Sequence, residues 1–494
     1  MEFGSVVQFL ENRAVLIIGA TGFLAKIFVE KVLREQPNVK RMYLLLRAAD
    51  AKAASQRFHN EIVGKELFRV VKEKYGENLG TTIAEKIVLV PGDISVDEGL
   101  GVSSSELKQQ MWDEVDVIVN LAATTNFDER YDVAMGLNTM GAKHVISFAK
   151  NCPNLRVLVH VSTAYVAGER SGLILESPHR MGETLNGVTG LDIQEERKLI
   201  ALKLNELRAE GASRDAIKRA MVDLGLNRAK EYGWPNTYVF TKAMGEMLVG
   251  ELKGENMSVV ILRPTIVSST FKQPFPGWIE GIRTLDSLAV GYGKGRLTCF
   301  LGDVTGILDV IPADMVVNSI LVAMVAHSNQ PRSEPVIYQV GSSVRNPMKL
   351  GELRDYFFSY FTQKPLVGKD GNTIRVRNPK HLGSMESFHR YMAFRYLFAL
   401  KGLELANAAF CHFFDRVYTD LNRKIKFAIR LMELYQPYLF FRGVFDDINT
   451  EKLRMAAKDN GVETDKFYFD PAEVDWEDYF INIHLPGLVK HVVK

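Results

Sequence analysis

At 494 residues, with 47% hydrophobic and 24% charged side chains, the chain is long enough for two or three domains and is not disordered. A net charge of +2 offers nothing to nucleic acid or to a strongly acidic partner, so no nucleic-acid role is expected. The cysteines, Cys152, Cys299 and Cys411, show neither CxxC nor zinc spacing, so no metal centre is expected and a reducing compartment suits them.

In chain order, MEFGSVVQFLENR is too short and too acidic for a transit peptide and lacks a signal-peptide apolar region, so no cleaved address is expected. Apolar runs throughout are broken by charge before the ~18 residues that a spanning helix needs. AVLIIG (14–19) then reads as a buried strand, and GATGFLAKIFVEKVLREQ (19–36) has apolar residues at helical spacing. RMYLLLR (41–47), KIVLVPGDIS (86–95), VDVIVNLAA (115–123), RVLVHVSTA (156–164) and SVVILRPT (258–265) continue the rhythm of buried strands joined by helices. The predicted fold is α/β: a doubly wound parallel (Rossmann) sheet followed by a mainly helical C-terminal domain.

Between the first strand and first helix, Gly19, Gly22 and Ala25 give the tight turn, the close backbone approach and the helix N-terminus that a dinucleotide diphosphate requires. Thr21, Phe23 and Leu24 belong to the same turn and are candidate cofactor contacts. The second strand ends in Arg47 where an acid would hold an NAD ribose, which points to NADPH; the alternative is a solvated strand-end cation. Asp93, with Ile94 beside it, resembles the adenine-contacting acid of the extended short-chain dehydrogenase/reductases, or is a turn-stabilising Asx residue.

In WPNTYVFTKAMG (234–245), Tyr238 and Lys242 fall one helical turn apart on one face. Such a pair is common by chance. Here it follows HVSTAYVAG (160–168), in which Thr163 ends a predicted strand, and LNTMG (137–141), which carries Asn138. The set resembles the catalytic residues of the short-chain dehydrogenase/reductase superfamily: Tyr238 as proton donor, Lys242 as its electrostatic partner and ribose ligand, Thr163 as oxyanion donor, and Asn138 completing the relay. A tyrosine with an ordinary pKa near ~10 is a poor shuttle at neutral pH, and a neighbouring ammonium together with the cofactor's positive nicotinamide ring is expected to favour its phenolate.

GATGFLAK, YLLLR, GWPNTYVFTKAMGE, ILRPTIV and PFPGWIEGIRTLDSLAVGYGKG (274–295) resemble the alcohol-forming fatty acyl-CoA reductases, above all the plant group. YQPYLFFRGVFDDINTEKLR (435–454) and FDPAEVDWEDYFINIHLPGLVKHV (469–492) resemble that family's C-terminal domain, named for male sterility. The resemblance implies reduction of a long-chain acyl-CoA by two NADPH to a primary alcohol through a bound aldehyde, in wax or related lipid synthesis. Plant relatives of this type imply the cytosolic face of the endoplasmic reticulum, with the cytoplasm as alternative.

The expected domains are a reductase domain at 1–343, a basic, loop-like connection at 344–390 and the C-terminal domain at 391–494. DIQEERKLIALKLNELRAEG (192–211), between Thr163 and Tyr238, reads as a lid over the acyl chain or as a surface insertion. Residues 391–441 hold 13 aromatics, with seven Lys or Arg against four Asp or Glu. That composition suits a peripheral membrane surface, an acyl tunnel, or an aromatic core packed on the reductase domain. Two rival functions remain at this stage: another extended reductase, of flavonoid or nucleotide-sugar type, and a scaffold that senses NADPH without turnover. Chain-length preference and oligomeric state are not legible.

Overall fold

A computed structural model describes residues 3–328, 330–368 and 370–493. Seven strands form the central sheet: β1 (Ala14–Ile18), β2 (Arg41–Leu46), β3 (Ile87–Pro91), β4 (Val117–Asn120), β5 (Val157–Val161), β6 (Val259–Pro264) and β7 (Val336–Val340). They are all parallel in the order β7-β6-β5-β4-β1-β2-β3. The order reverses at β1, between β2 and β4, and a doubly wound sheet opens its ligand crevice at the carboxyl ends of the strands flanking such a point.

Alternation along β1 shows why both faces are covered. Val15 and Ile17 join one core with Phe28 of α1 (Phe23–Glu35) and Val316 of α3 (Ala313–Ala326). Ala14, Leu16 and Ile18 join another with Val249 of α2 (Thr237–Leu252) and with Val145 and Ile146. β1 is therefore apolar throughout, as a strand of a parallel sheet with helices on both sides demands.

The segment 344–390 departs from the expected loop. It contains α4 (Leu350–Gln363), whose Leu353, Phe357 and Phe361 are buried, and Lys380–Leu382, which pairs with Cys299–Leu301. Its basic residues lie outside that helix's apolar face, and the helical spacing of 350, 353, 357 and 361 was masked by the surrounding Gly, Pro and Lys.

The C-terminal part is mainly helical, with α5 (Phe398–Ala409) and α6 (Asp415–Leu439) forming a hairpin. It returns to the reductase part: Gly443–Phe445 pairs in parallel with Gly172–Ile174 in a separate two-stranded sheet, and half-buried Glu176 accepts hydrogen bonds from Gln339 N of β7 at 2.7 Å and from Asn449 N at 2.6 Å.

One buried ion pair fixes α2 to the sheet. Arg263 of β6 and Glu246 of α2 meet at 2.6 Å, and both are almost wholly buried. Removing one partner strands a charge, at about 3–5 kcal/mol, whereas replacing both with apolar groups costs far less. Arg263→Met should therefore lower the thermal midpoint sharply, and Glu246→Met in the same chain should recover most of it. Equal midpoints for wild type and Arg263→Met would show that the pair does not hold the helix.

Candidate active site

The glycine turn is built as its spacing requires. Gly19 has φ +84°, a left-handed conformation, and a Cβ there would lie 2.7 Å from the backbone of Ala122 on the neighbouring strand's exit. Gly22 N donates to Gly19 O at 2.8 Å and starts α1, while Ala25 is buried on the turn's inner side. A dinucleotide diphosphate fits this cradle, because the turn presents backbone and no side chain to it. Phe23 stacks on Trp278 with centroids 5.1 Å apart, and the Arg283 guanidinium lies 4.5 Å above the same ring.

Arg47 is exposed at the end of β2, and its carbonyl accepts from Arg57 Nη1 at 2.8 Å. Arg57 also reaches Thr21 Oγ1 at 3.4 Å and is held by Glu61 at 2.7 Å. Sequence reading missed Arg57, which stands in the helix after Asp50 with no motif around it. Asp93 does make an Asx turn, accepting from Ser95 N and Oγ at 2.8 Å each. Ile94 is buried against Gly141, and its carbonyl is 2.8 Å from His144 Nδ1.

A cavity of about 680 Å³ opens at the carboxyl ends of the strands. Gly22, Phe23, Leu24, Thr163, Tyr238 and Lys242 all line it. Thr163 leaves β5 with its hydroxyl 3.4 Å from Pro264 O and accepts from Tyr165 N at 3.3 Å. α2 begins at Asn236, whose side chain caps Val239 N at 3.1 Å, so Tyr238 sits in the first turn and Lys242 in the second. Lys242 is 1% exposed and donates to Val161 O of β5 at 2.8 Å; it has no carboxylate partner among the described residues.

Electrostatics follow from that dryness. Burial lowers Lys242 to about 8, opposed by Glu246 one turn on. Burial raises Tyr238 to about 12, opposed by a hydrogen bond from Thr163. That direction favours the phenol over the phenolate. His160, below Lys242 on β5, is kept neutral at about 3 by burial and then by the ammonium.

Asn138 does not reach the cavity. Its Oδ1 accepts from Thr124 N at 3.0 Å, and its Nδ2 donates to Thr124 O at 3.1 Å and Thr241 Oγ1 at 3.0 Å. It straps the β4 exit loop to α2 behind Lys242. The long connection before Tyr238 forms two helices, Ile193–Ala209 and Arg214–Glu231, which brace α2 and Tyr131 through the buried Glu196–Arg228 pair. Among the described residues, none of theirs lines the cavity.

The far wall comes from α6. Phe427, Leu431, Leu434, Tyr435 and Tyr438 line the cavity along one helical face. Phe127 stacks between Tyr238 (6.0 Å) and Tyr438 (5.0 Å), and Asn236 Nδ2 donates to Tyr438 Oη at 2.8 Å. Phe127 and Tyr165 were not foreseen, since lone aromatics carry no spacing signal, whereas Tyr438 lies in the aromatic stretch 391–441 for which an acyl tunnel was one expectation.

Two family profiles, both described as "Male sterility protein", match this chain: an NAD-binding one over residues 17–320 and a second over residues 395–494. An alcohol-forming fatty acyl-CoA reductase of Simmondsia chinensis is 56% identical over 100% of both chains, and fatty acyl-CoA reductase 1 of Arabidopsis thaliana is 53% identical over 99% of both. In fold the chain is similar to the terminal R domain of the myxalamid pathway (TM-score 0.57, 19% identity, covering 97% of this chain and 91% of that one). The reductase domain of a Mycobacterium tuberculosis nonribosomal peptide synthetase is equally similar (TM-score 0.57, 16% identity, covering 99% and 93%).

Proposed function

The chain belongs to the alcohol-forming fatty acyl-CoA reductases and carries a nicotinamide-binding domain, and from that premise we propose how its own residues work. The reaction is the four-electron reduction of a long- or very-long-chain acyl-CoA to a primary alcohol, with two NADPH, through an aldehyde that stays bound. The observation that carries the reading is one cavity lined at once by the glycine turn, by Thr163, Tyr238 and Lys242, and by an aromatic helix wall.

The cofactor, when bound, supplies hydride. Tyr238 and Thr163 hydrogen-bond the thioester carbonyl oxygen, so the electron pair displaced as the C–H bond forms meets two preset donors. The tetrahedral adduct collapses, re-forming the carbonyl and expelling a thiolate, a tolerable leaving group because thiol pKa values lie near ~8.5. In the second half Tyr238 gives its proton to the alkoxide, and the Lys242 ammonium stabilises the phenolate left behind. Phe127, Tyr435 and Tyr438 keep water from the aldehyde and grip the chain beside it.

For the cofactor's 2′-phosphate, Arg57 holds a guanidinium beside Thr21 and Arg47 stands exposed at the end of β2, which supports NADPH over NADH. The aromatic, basic hairpin supports peripheral membrane association, and with it the cytosolic face of the endoplasmic reticulum and a role in wax or related lipid synthesis.

Expressed in yeast, the protein should yield new long-chain primary alcohols, and Tyr238→Phe should abolish them; alcohols persisting at wild-type level would remove Tyr238 from the chemistry. Lys242 is charged below about 8 and neutral above, so kcat/KM should fall as pH rises through about 8. A profile flat to pH 10 contradicts that role. Replacing Arg47 and Arg57 together by Ala should weaken NADPH binding roughly tenfold or more by fluorescence titration and change NADH binding little. Equal losses for both dinucleotides argue against the 2′-phosphate assignment.

A further inference from the structure

The hairpin of α5 and α6 leaves its apolar side chains outside. Phe394, Phe398, Leu405, Phe410, Phe413 and Val417 are all more than half exposed, Phe413 at 81%. Among the described residues only Leu400 and Asn407 of α5, and Met432 and Leu439 of α6, are buried. The tip is nonetheless built: Asn407 Oδ1 accepts from Phe414 N at 2.8 Å and its Nδ2 donates to Asp415 Oδ1 at 3.2 Å, which fixes the turn. A soluble surface does not ordinarily concentrate phenylalanine in this way; a contiguous apolar patch marks something that covers it.

Charge selects the occupant. Residues 391–430 carry seven Lys or Arg against three Asp or Glu, interleaved with the exposed aromatics. Phenylalanines at a helix tip, followed along α6 by Arg416, Arg423, Lys424 and Lys426 with Asp415 and Asp420 among them, match an anionic leaflet, where the rings enter the acyl region and the excess cations meet headgroups.

Continuity gives this surface a use. Phe427 is 67% exposed and also lines the cavity, as does Ile282 at 51%, so the two mark its mouth. From Phe427 the cavity-lining face of α6 runs through Leu431, Leu434 and Tyr435 to Tyr438, which spans roughly 16 Å at 1.5 Å per residue. That face ends against Phe127, which stacks on Tyr238. One helix therefore begins in the exposed aromatic tip and ends beside the phenol.

We propose that the tip of the α5–α6 hairpin inserts into the anionic leaflet of a bilayer and that the acyl chain passes from that leaflet, over Phe427 and along α6, into the cavity without crossing water. This rests on the acyl-CoA reading above and adds where the substrate is taken from.

The test uses the full chain with Phe410→Ser, Phe413→Ser and Val417→Ser combined; none of these residues lines the cavity. Flotation with vesicles of phosphatidylcholine and phosphatidylserine should recover wild type, and recover the triple variant at least tenfold less. Pure phosphatidylcholine vesicles should bind wild type more weakly, and Arg416→Glu with Arg423→Glu should remove that preference for anionic lipid. The triple variant should keep its melting temperature and reduce monomeric palmitoyl-CoA, below its micelle concentration, as wild type does, but reduce vesicle-held palmitoyl-CoA at least fivefold more slowly. Equal flotation of variant and wild type overturns the docking surface. So does a wild type that stays off vesicles and sediments as a dimer, with the variant monomeric, since a second copy then covers the patch. Loss of flotation with undiminished reduction of vesicle-held substrate overturns the route. If no acyl-CoA is reduced under any condition, the catalytic reading fails, and flotation still decides the surface.

Discussion

The site depends on one desolvated ammonium. Lys242 is sealed under the carboxyl end of β5 with a backbone carbonyl as its hydrogen-bond acceptor and no carboxylate beside it. A buried cation without a partner is costly, and the surrounding arrangement limits that cost. Glu246 lies one turn down α2 and already faces Arg263, so it favours the ammonium electrostatically without capturing it. His160, the nearest group able to gain a competing positive charge, is held neutral. A carboxylate closer to Lys242 would pin it in its charged form and tie it down; burial alone would discharge it. The intermediate arrangement leaves it titrating close to physiological pH, where it can respond to charge appearing on its neighbour.

The cavity is a joint product of two parts of the chain that are far apart in sequence. The sheet supplies the floor, with the glycine turn, Thr163 and α2 arriving at strand ends on the side where a doubly wound sheet must open. A Rossmann half alone would leave Tyr238 facing solvent. Residues from 427 to 438 close that side, and the return of Gly443–Phe445 to Gly172–Ile174, with the Glu176 clasp, holds α6 in place. This explains why the C-terminal segment is clasped against the edge of the reductase domain and does not hang from a tether.

Legibility in the sequence followed the range of each interaction. Strands β1 to β6, the turn at Gly19 and Gly22, and the Tyr238–Lys242 helix announce themselves through local patterns: apolar runs, a Gly spacing and an i, i+4 pair. α4 was hidden because its periodic stretch is short and flanked by breakers. β7 was hidden because VIYQV carries a buried Gln339 whose partner, Ile174 O, is far along the chain. Asn138 was legible as a polar residue with a purpose, but its partners, Thr124 and Thr241, put it behind the cavity, which no spacing rule reports. Arg57 and Phe127 needed coordinates altogether, since each matters only through residues that folding brings to it.

The protonation state of Tyr238 ties these levels together. An ammonium one turn away would, in a wet site, pull a phenol toward its phenolate. Here Phe127 stacks on Tyr238 and Tyr438 stacks on Phe127, and desolvation at this half-buried stack raises the phenol instead. Since Tyr438 belongs to α6, the wall that closes the cavity also bears on the acidity of Tyr238. A reductase acting on a carbonyl needs the proton in place before the hydride arrives, so a raised phenol is the useful resting state.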